Sequence, residues 1–233
     1  MHLKEYSFYA LGDSAIVIQL GDQIDPIINA KIRSICEWLD EYTFEGFVEY
    51  VPAYTTVTIY YQPWKIGYEE LSEMIGEMLN EISGTSELRN KVIEIPVSYG
   101  GVGGPDLEIV ASHNNLTVQE VVSLHSNINY LVYMIGFAPG FPYLGGLDQK
   151  ISTPRKANPR SKIPAGSVGI AGMQTGIYPI ETPGGWQIIG RTPIALFDLE
   201  RASPSLLKAG DFVRFKPITE EEFINFTPGD YGY

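Results

Sequence analysis

The stretch GFAPGFPYLGGLDQKISTPRKANPRSKIPAGSVGIAGMQTGIYPIETPGGWQIIGRTP, residues 136–193, decides the fold of the second half of this chain. It contains 11 of the 24 glycines and 8 of the 16 prolines, so turns recur throughout it. Short apolar runs in and around it predict strands at residues 130–137, 167–171, 186–190, 194–197 and 212–215. Many short strands joined by glycine and proline turns are typical of a closed or nearly closed β-barrel.

The first ninety residues follow a different pattern, in which strands alternate with helices. Residues 15–20, 47–51 and 55–61 are rich in β-branched and aromatic residues and predict strands. Asp25-Pro26 has the form of an N-cap followed by proline at the first helical position. Apolar residues at helical spacing predict two amphipathic helices, with the stripes Ile28, Ile32, Ile35 and Leu39, and Leu71, Ile75, Met78 and Ile82.

The order β-α-β-β-α, with one more strand before or after, predicts a small ferredoxin-like α/β domain. The polar stretch at residues 83–90, SGTSELRN, is the best candidate for a linker. We therefore expect an α+β protein of two domains, with the ferredoxin-like domain at residues 1–88 and the β-barrel at residues 89–233.

Composition limits the class of protein. With 44% hydrophobic and 19% charged residues, the 233-residue chain has the composition of an ordinary globular protein. No apolar run approaches the ~18 residues of a membrane span, and the first residues lack the form of a secretory signal, so we expect a cytoplasmic protein. The single cysteine, Cys36, is read as a core thiol, and with three scattered histidines we expect no metal site.

The charge distribution points to a small anionic ligand. The chain carries a net charge of −12, yet residues 136–193 hold six basic and only two acidic residues, a local charge of +4. The acidic remainder repels nucleic acid and anionic membranes, so we expect neither as a partner.

Arginines in this basic segment are the first candidates for binding. Arg155 and Arg160 each follow a proline that limits the freedom of the backbone, and a guanidinium held in this way can bind a carboxylate or phosphate through two hydrogen bonds. Solvated loop charge is an equally good interpretation of both. Arg191, which follows Gly190, is either a third binding residue or an ordinary ion-pair partner.

Other candidates lie nearby in sequence. Gln174, Tyr178 and Trp186 are suited to lining a pocket and orienting a planar amide, although burial in the barrel core is the simpler role for Tyr178 and Trp186. His125 is a possible general base, but a helix cap or surface position is the favoured interpretation. Ser167 is expected to begin a strand rather than to act as a nucleophile.

A glycine loop follows the predicted strand at residues 92–99. The order strand, Gly100-Gly101-Val102-Gly103-Gly104, helix is that of many phosphate-binding loops. The Gly-Lys-Ser/Thr ending is missing, however, and Asp106 would bring a carboxylate to the start of the helix. A phosphate site is therefore disfavoured here. Thr117 and Glu120 predict a capping box at the next helix.

Several strings together resemble one family. They are LGDSAIVIQLG near the start, YGGVGGPDLEIVA at residues 99–111, GFAPGFPYLGGLD, TPR, NPR, IPAGSVGIAG, QTGIYP and TPGGWQIIGRTP. In this order and spacing they resemble the signature of the family of 5-oxoprolinase B subunits, also called allophanate hydrolase subunit 1. Some members of that family are described as inhibitors of a sporulation histidine kinase.

The resemblance implies a small α/β domain followed by a cyclophilin-like β-barrel. It also implies work with the C and A subunits of 5-oxoprolinase, which together with the B subunit open 5-oxoproline to L-glutamate with ATP hydrolysis. We assign Arg155, Arg160 and Gln174 to catalysis, with the two arginines on the anion and Gln174 on the amide. The substrate-binding candidates are Tyr178, also on the amide, Arg191 in a supporting role, Trp186 and His125. Because no ATP loop is evident, we expect ATP to be shared with a partner protein.

Two alternatives stay open from the sequence. The chain could dock on the dimerisation and phosphotransfer region of a histidine kinase and block autophosphorylation. It could also serve a urea-handling carboxylase, since modules of this family occur beside biotin-handling domains.

Overall fold

The computed structural model describes residues 6–82 and 92–227, which form two compact units, one in each range. The predicted linker at residues 83–90, and with it the predicted domain boundary, lies outside the described residues. Each unit has its own hydrophobic core. No helix in the described part of the chain is long and apolar enough to cross a membrane.

The first unit is a four-stranded antiparallel sheet with two helices. Its elements are β1 (Ser7–Ala10), β2 (Ala15–Gln19), α1 (Pro26–Glu41), β3 (Phe47–Pro52), β4 (Thr56–Tyr61) and α2 (Tyr68–Glu81). The strand order is β1-β2-β4-β3, so α1 connects two strands that are separated by β4. This is the predicted ferredoxin-like arrangement, and the strand left open by the sequence comes before β2.

Local signals explain both helices of this unit. The Asp25 carboxylate accepts hydrogen bonds from the amides of Ile27 and Ile28, and Pro26 occupies the first turn, where its missing N–H costs nothing. The predicted stripes are confirmed, since Ile32, Ile35 and Leu39 of α1 and Leu71, Ile75 and Met78 of α2 are buried. Cys36 packs against the same core, and burial raises its pKa to about 12.

The second unit is built around a closed barrel. Its elements are β5 (Val92–Tyr99), α3 (Leu107–His113), α4 (Val118–Ser126), β6 (Asn129–Ile135), β7 (Pro142–Gly145), β8 (Arg160–Ile163), β9 (Ser167–Ala171), β10 (Gln174–Ile177), β11 (Thr182–Gly184), β12 (Gln187–Arg191), β13 (Phe212–Ile218) and α5 (Glu220–Ile224). Within residues 92–227, seven strands close in the order β10-β7-β6-β13-β5-β12-β9, and β8 pairs with β11 beside them. The predicted barrel is confirmed.

One predicted strand of the barrel is wrong. Residues 194–197 form no strand, and the backbone makes only an isolated bridge between Phe197 and Ser205. Ile194 and Leu196 are nevertheless buried. The apolar pattern therefore indicates burial, here in an irregular segment after Pro193, and not a strand. Ser167 begins β9 as expected, and Thr117 and Glu120 form the predicted capping box of α4.

Candidate functional site

A cleft of about 530 Å³ lies on the second unit, where the glycine loop after β5 faces β8, the end of β12 and α5. Its volume falls within the usual range for small-molecule sites. Three cationic side chains and one carboxylate line it, namely Arg160, Lys162, Arg191 and Glu220. The other lining residues include Ser98, Tyr99, Val102, Ser167 and Phe223.

Two contacts fix the orientation of the Arg191 side chain without neutralising its positive charge. It ends β12, and its Nε donates to the carbonyl oxygen of Ala165 at 2.9 Å. The guanidinium carbon lies 5.9 Å from the centre of the Phe223 ring, at cation–π distance. Among the described residues no carboxylate forms an ion pair with it. The guanidinium is thus oriented and still able to bind an anion with its two terminal nitrogens.

Arg160 is oriented by a buried carboxylate. Its Nη2 donates to Oδ1 of Asp106 at 2.7 Å, and Lys156 Nζ donates to the same oxygen at 3.1 Å. The second oxygen of Asp106 accepts from the amide of Ile188 at 2.7 Å. Burial alone would raise the pKa of Asp106, but hydrogen bonds from Arg160, Ile188 and Lys156 outweigh it and lower the pKa.

These contacts leave the Asp106 cluster with excess positive charge. One carboxylate, which is only 1% exposed, faces two cations. Arg160 also retains a buried Nη1 with no hydrogen-bond partner among residues 6–82 and 92–227. Lys162, by contrast, pairs with Glu181 at 3.0 Å across solvent-exposed surface, where an ion pair contributes little. The electrostatic character of the cleft is therefore cationic.

The glycine loop forms the opposite wall. Gly100 and Gly101 have φ angles of +75° and +54°, which favour glycine. The sequence disfavours an anion site here because Asp106 stands at the start of α3. In the structure the Asp106 carboxylate does not cap the helix, since it is bound by Arg160, Lys156 and the amide of Ile188. Its charge is thereby neutralised, and it does not exclude an anion from the loop.

Five of the seven predicted site residues do not line the cleft, namely Arg155, Gln174, Tyr178, Trp186 and His125. Tyr178 and Trp186 are buried in a separate aromatic cluster with Phe141, and burial raises the pKa of Tyr178 to about 12. Arg155 is exposed, and its charge acts on Tyr178. Gln174 begins β10. Arg155 and Arg160, which each follow a proline, therefore lie in different places. Arg191, and not Arg155, lines the cleft together with Arg160.

His125 lies in the barrel core, and its expected cap or surface position is wrong. The residue is fully buried and stacks on Phe215 with ring centres 4.4 Å apart. Its Nδ1 is 2.7 Å from the hydroxyl of Tyr99, and its Nε2 is 2.8 Å from the hydroxyl of Thr175. Because Thr175 donates onward to the carbonyl of Gly169, the hydroxyl accepts from Nε2–H and Nδ1 accepts from Tyr99.

Burial lowers the pKa of His125 to about 3, so this histidine is neutral at ordinary pH. It is connected to the cleft through Tyr99, which lines the wall and hydrogen-bonds to its Nδ1. The amphipathic pattern of α4 contained the signal for this position, because His125 falls on the same face as the buried Val121 and Val122.

Sequence reasoning also missed two parts of the cleft wall. Lys162 entered only as part of the local charge, and α5 was not predicted. The glycine density of residues 100–104 was the available signal for the opposite wall.

Comparison with known proteins places these features in context. The family model for the carboxyltransferase domain, subdomain C and D, matches residues 6–207. The B subunit of 5-oxoprolinase from Bacillus subtilis is 46% identical over 228 residues, which cover 94% of this chain and 95% of that protein. The corresponding B subunit from Escherichia coli O157:H7 is 43% identical over 91% of this chain and 96% of that protein.

The same fold occurs as a segment of a larger enzyme. The crystal structure of the K. lactis urea amidolyase superposes on 94% of this chain with a TM-score of 0.79, while this chain covers 15% of that one. The sequences are 23% identical, so this likeness concerns the fold.

Proposed function

This chain belongs to the carboxyltransferase family of subdomains C and D, and on that premise we propose that it is the B subunit of an ATP-dependent 5-oxoprolinase. The complex would open 5-oxo-L-proline to L-glutamate and hydrolyse ATP to ADP and phosphate. The observation that carries this proposal is the 46% identity to the B. subtilis protein over nearly the whole of both chains.

The cleft is suited to the chemistry of this reaction. 5-Oxoproline is a small acid whose carboxylate matches the free fork of Arg191. Its lactam is stable, so the carbonyl oxygen must be activated before water can attack. A phosphoryl group from ATP would supply that activation, and cations such as Arg160 would offset the negative charge that develops.

Partner proteins complete the proposal. The relatives carry the name of one component of a larger enzyme, and we propose that the C and A subunits of 5-oxoprolinase assemble with this chain. ATP would then be held jointly by this chain and a partner. Arg155 and Gln174 stay candidates for catalysis, and Tyr178, Trp186 and His125 for substrate binding, only if a partner or a bound ligand brings them to the reaction.

Reconstitution tests this function directly. The chain is purified with its candidate partners, and L-glutamate release from 5-oxo-L-proline is measured with and without ATP. The proposal predicts release that requires ATP and stops when this chain is omitted. If the complete assembly releases no glutamate while the chain alone blocks autophosphorylation of a histidine kinase, the proposal fails and the regulatory alternative replaces it.

A further inference from the structure

We infer that the glycine loop Gly100–Pro105 and the cations facing it form a phosphoryl-binding subsite in this cleft, beside the Arg191 fork that would take the carboxylate. The biological role of this subsite rests on the proposed function, because that reaction needs sites for both a carboxylate and a phosphoryl group. The physical evidence for an anion subsite comes from the amides of the loop and the cations that face them.

The loop is fixed at its ends and open in its middle. The amide of Gly100 donates to the carbonyl of Ile189 at 3.0 Å, and the amide of Gly104 donates to the carbonyl of Gly100 at 2.7 Å. Packing is tight at Gly104, where a Cβ would lie 2.2 Å from the carbonyl oxygen of Ile189. At Gly101, by contrast, a Cβ would meet no atom within 4 Å.

Three successive amides in the open part are available for a ligand. Within residues 6–82 and 92–227, the N–H groups of Gly101, Val102 and Gly103 donate to no protein acceptor. All three residues line the cleft. Successive amides in a turn that contains left-handed residues form concave binding sites for anions. The feature belongs to the loop and does not depend on the short helix α3.

Cations face the loop across the cleft. Arg160 and Lys162 line the same cavity, and Asp106 takes up only part of the charge that Arg160 and Lys156 bring to it. Arg191 packs beside the loop, since a Cβ at Gly103 would lie 3.1 Å from the Cβ of Arg191. Glu220 is the carboxylate on the wall, and it forms no ion pair with these cations in the described part of the protein.

The number of donors favours a phosphoryl group over a second carboxylate. A carboxylate is satisfied by one guanidinium fork, which Arg191 supplies. A terminal phosphoryl group has three oxygens and about two negative charges near neutral pH. Three free amides match that larger demand together with Arg160, whose Nη1 is not used by Asp106, and Lys162, whose ion pair with Glu181 is exposed and weak.

Backbone NMR of the full-length, ¹⁵N-labelled chain tests the subsite. Inorganic phosphate and ATP are titrated separately, with acetate at equal ionic strength as the control anion. We expect phosphate to shift the amide resonances of Gly101, Val102 and Gly103 saturably, because each amide gains an acceptor. Acetate should leave these three resonances in place. If ATP shifts them at lower concentration than phosphate does, the phosphoryl group is bound as part of a nucleotide.

A matched pair of variants localises the effect. Val102 is 95% exposed, so neither Val102→Glu nor Val102→Gln disturbs the core. Val102→Glu places a carboxylate beside the loop and should weaken phosphate binding about tenfold or more, while Val102→Gln retains it. The inference is overturned if phosphate leaves the three amides unchanged, if acetate shifts them equally, or if Val102→Glu binds phosphate as well as Val102→Gln does.

These outcomes are independent of enzymatic activity. Phosphate binding at the loop without glutamate release by the reconstituted complex would remove the proposed function and keep the anion subsite. Glutamate release without phosphate binding would keep the proposed function and remove the anion subsite.

Discussion

Asp106 organises the charge of the cleft at the scale of a single residue. Its buried carboxylate accepts hydrogen bonds from Arg160, Lys156 and the amide of Ile188. These bonds connect the loop after β5 to the start of β8 and to β12. The sequence separates Asp106 from Arg160 by 54 positions. An ion pair of that range leaves no trace in local sequence patterns.

Asp106→Asn tests this role. The variant keeps the shape of the side chain but leaves two cations without their carboxylate, and we expect it to lower the free energy of unfolding by about 3 kcal/mol. Urea denaturation at pH 7 measures the change. Asp198→Asn, at a partly exposed and weak ion pair with Arg201, is the control and should cost about 1 kcal/mol or less. Equal losses in the two variants would contradict the assignment.

The same carboxylate predicts a loss of stability in acid. Because the folded protein lowers the pKa of Asp106, its contribution is complete above the ordinary carboxyl pKa and is lost as pH falls through the lower folded value. The wild-type protein should therefore lose more stability than Asp106→Asn as pH falls below about 4. Parallel pH profiles of the two proteins, measured by urea denaturation, would contradict this.

His125 predicts a separate pH dependence at higher pH. The unfolded chain binds a proton at His125 below about pH 6.5, whereas the folded chain resists protonation until about pH 3. Stability is therefore lost progressively as pH falls below 6.5, by about 1.4 kcal/mol for each pH unit. His125→Gln should flatten the decline between pH 7 and pH 5.5 in urea denaturation, and His113→Gln, at an exposed site, should retain it. A wild-type profile that is flat over this range would contradict the neutral, buried histidine.

At the scale of secondary structure, the elements that could be predicted carry local signals. α1 and α2 have apolar stripes at helical spacing, and β5 and β9 contain several β-branched residues within a few positions, namely Val92, Ile93, Ile95 and Val97 in β5 and Val168 and Ile170 in β9. Four strands escaped prediction, each only three or four residues long and rich in glycine, proline or charge: β7, β8, β10 and β11. Their pairing depends on distant partners, which a single sequence does not reveal.

The glycine loop yields a prediction at this scale. Gly104→Ala would bring a Cβ to 2.2 Å from the backbone oxygen of Ile189, so the loop must move, and we expect a loss of about 3 kcal/mol in unfolding free energy. Gly101→Ala meets open space and suffers only from its positive φ, at a cost of about 1 kcal/mol. Urea denaturation of both variants should rank Gly104→Ala as clearly less stable. The reverse order would show that the loop is not fixed where the structure has it.

At the scale of the whole molecule, an acidic protein has a local excess of positive charge in residues 136–193, which hold six basic and two acidic residues. The basic segment was evident from the sequence, but the division of its cations between the cleft and the region of Tyr178 was not. The structure directs Arg160, Lys162 and Arg191 to the cleft, and leaves Arg155 near Tyr178. Barrel closure decides this division, because it brings β12 and the loop after β5 to the same end of the second unit.

We propose that Arg191 holds the carboxylate of a small acid in this cleft. The most direct measurement is the rate of ATP-dependent glutamate release by the reconstituted complex containing Arg191→Ala, Arg191→Lys or Arg214→Ala, at several concentrations of 5-oxo-L-proline. Arg214 lies exposed on β13, outside the cleft, and serves as the matched control. Size-exclusion chromatography verifies that each variant assembles.

We expect Arg191→Ala to lower kcat/KM about a hundredfold. Arg191→Lys should recover only part of the loss because it keeps the charge without the fork, and Arg214→Ala should match the wild type. A fully assembled Arg191→Ala complex with wild-type kcat/KM would contradict the claim.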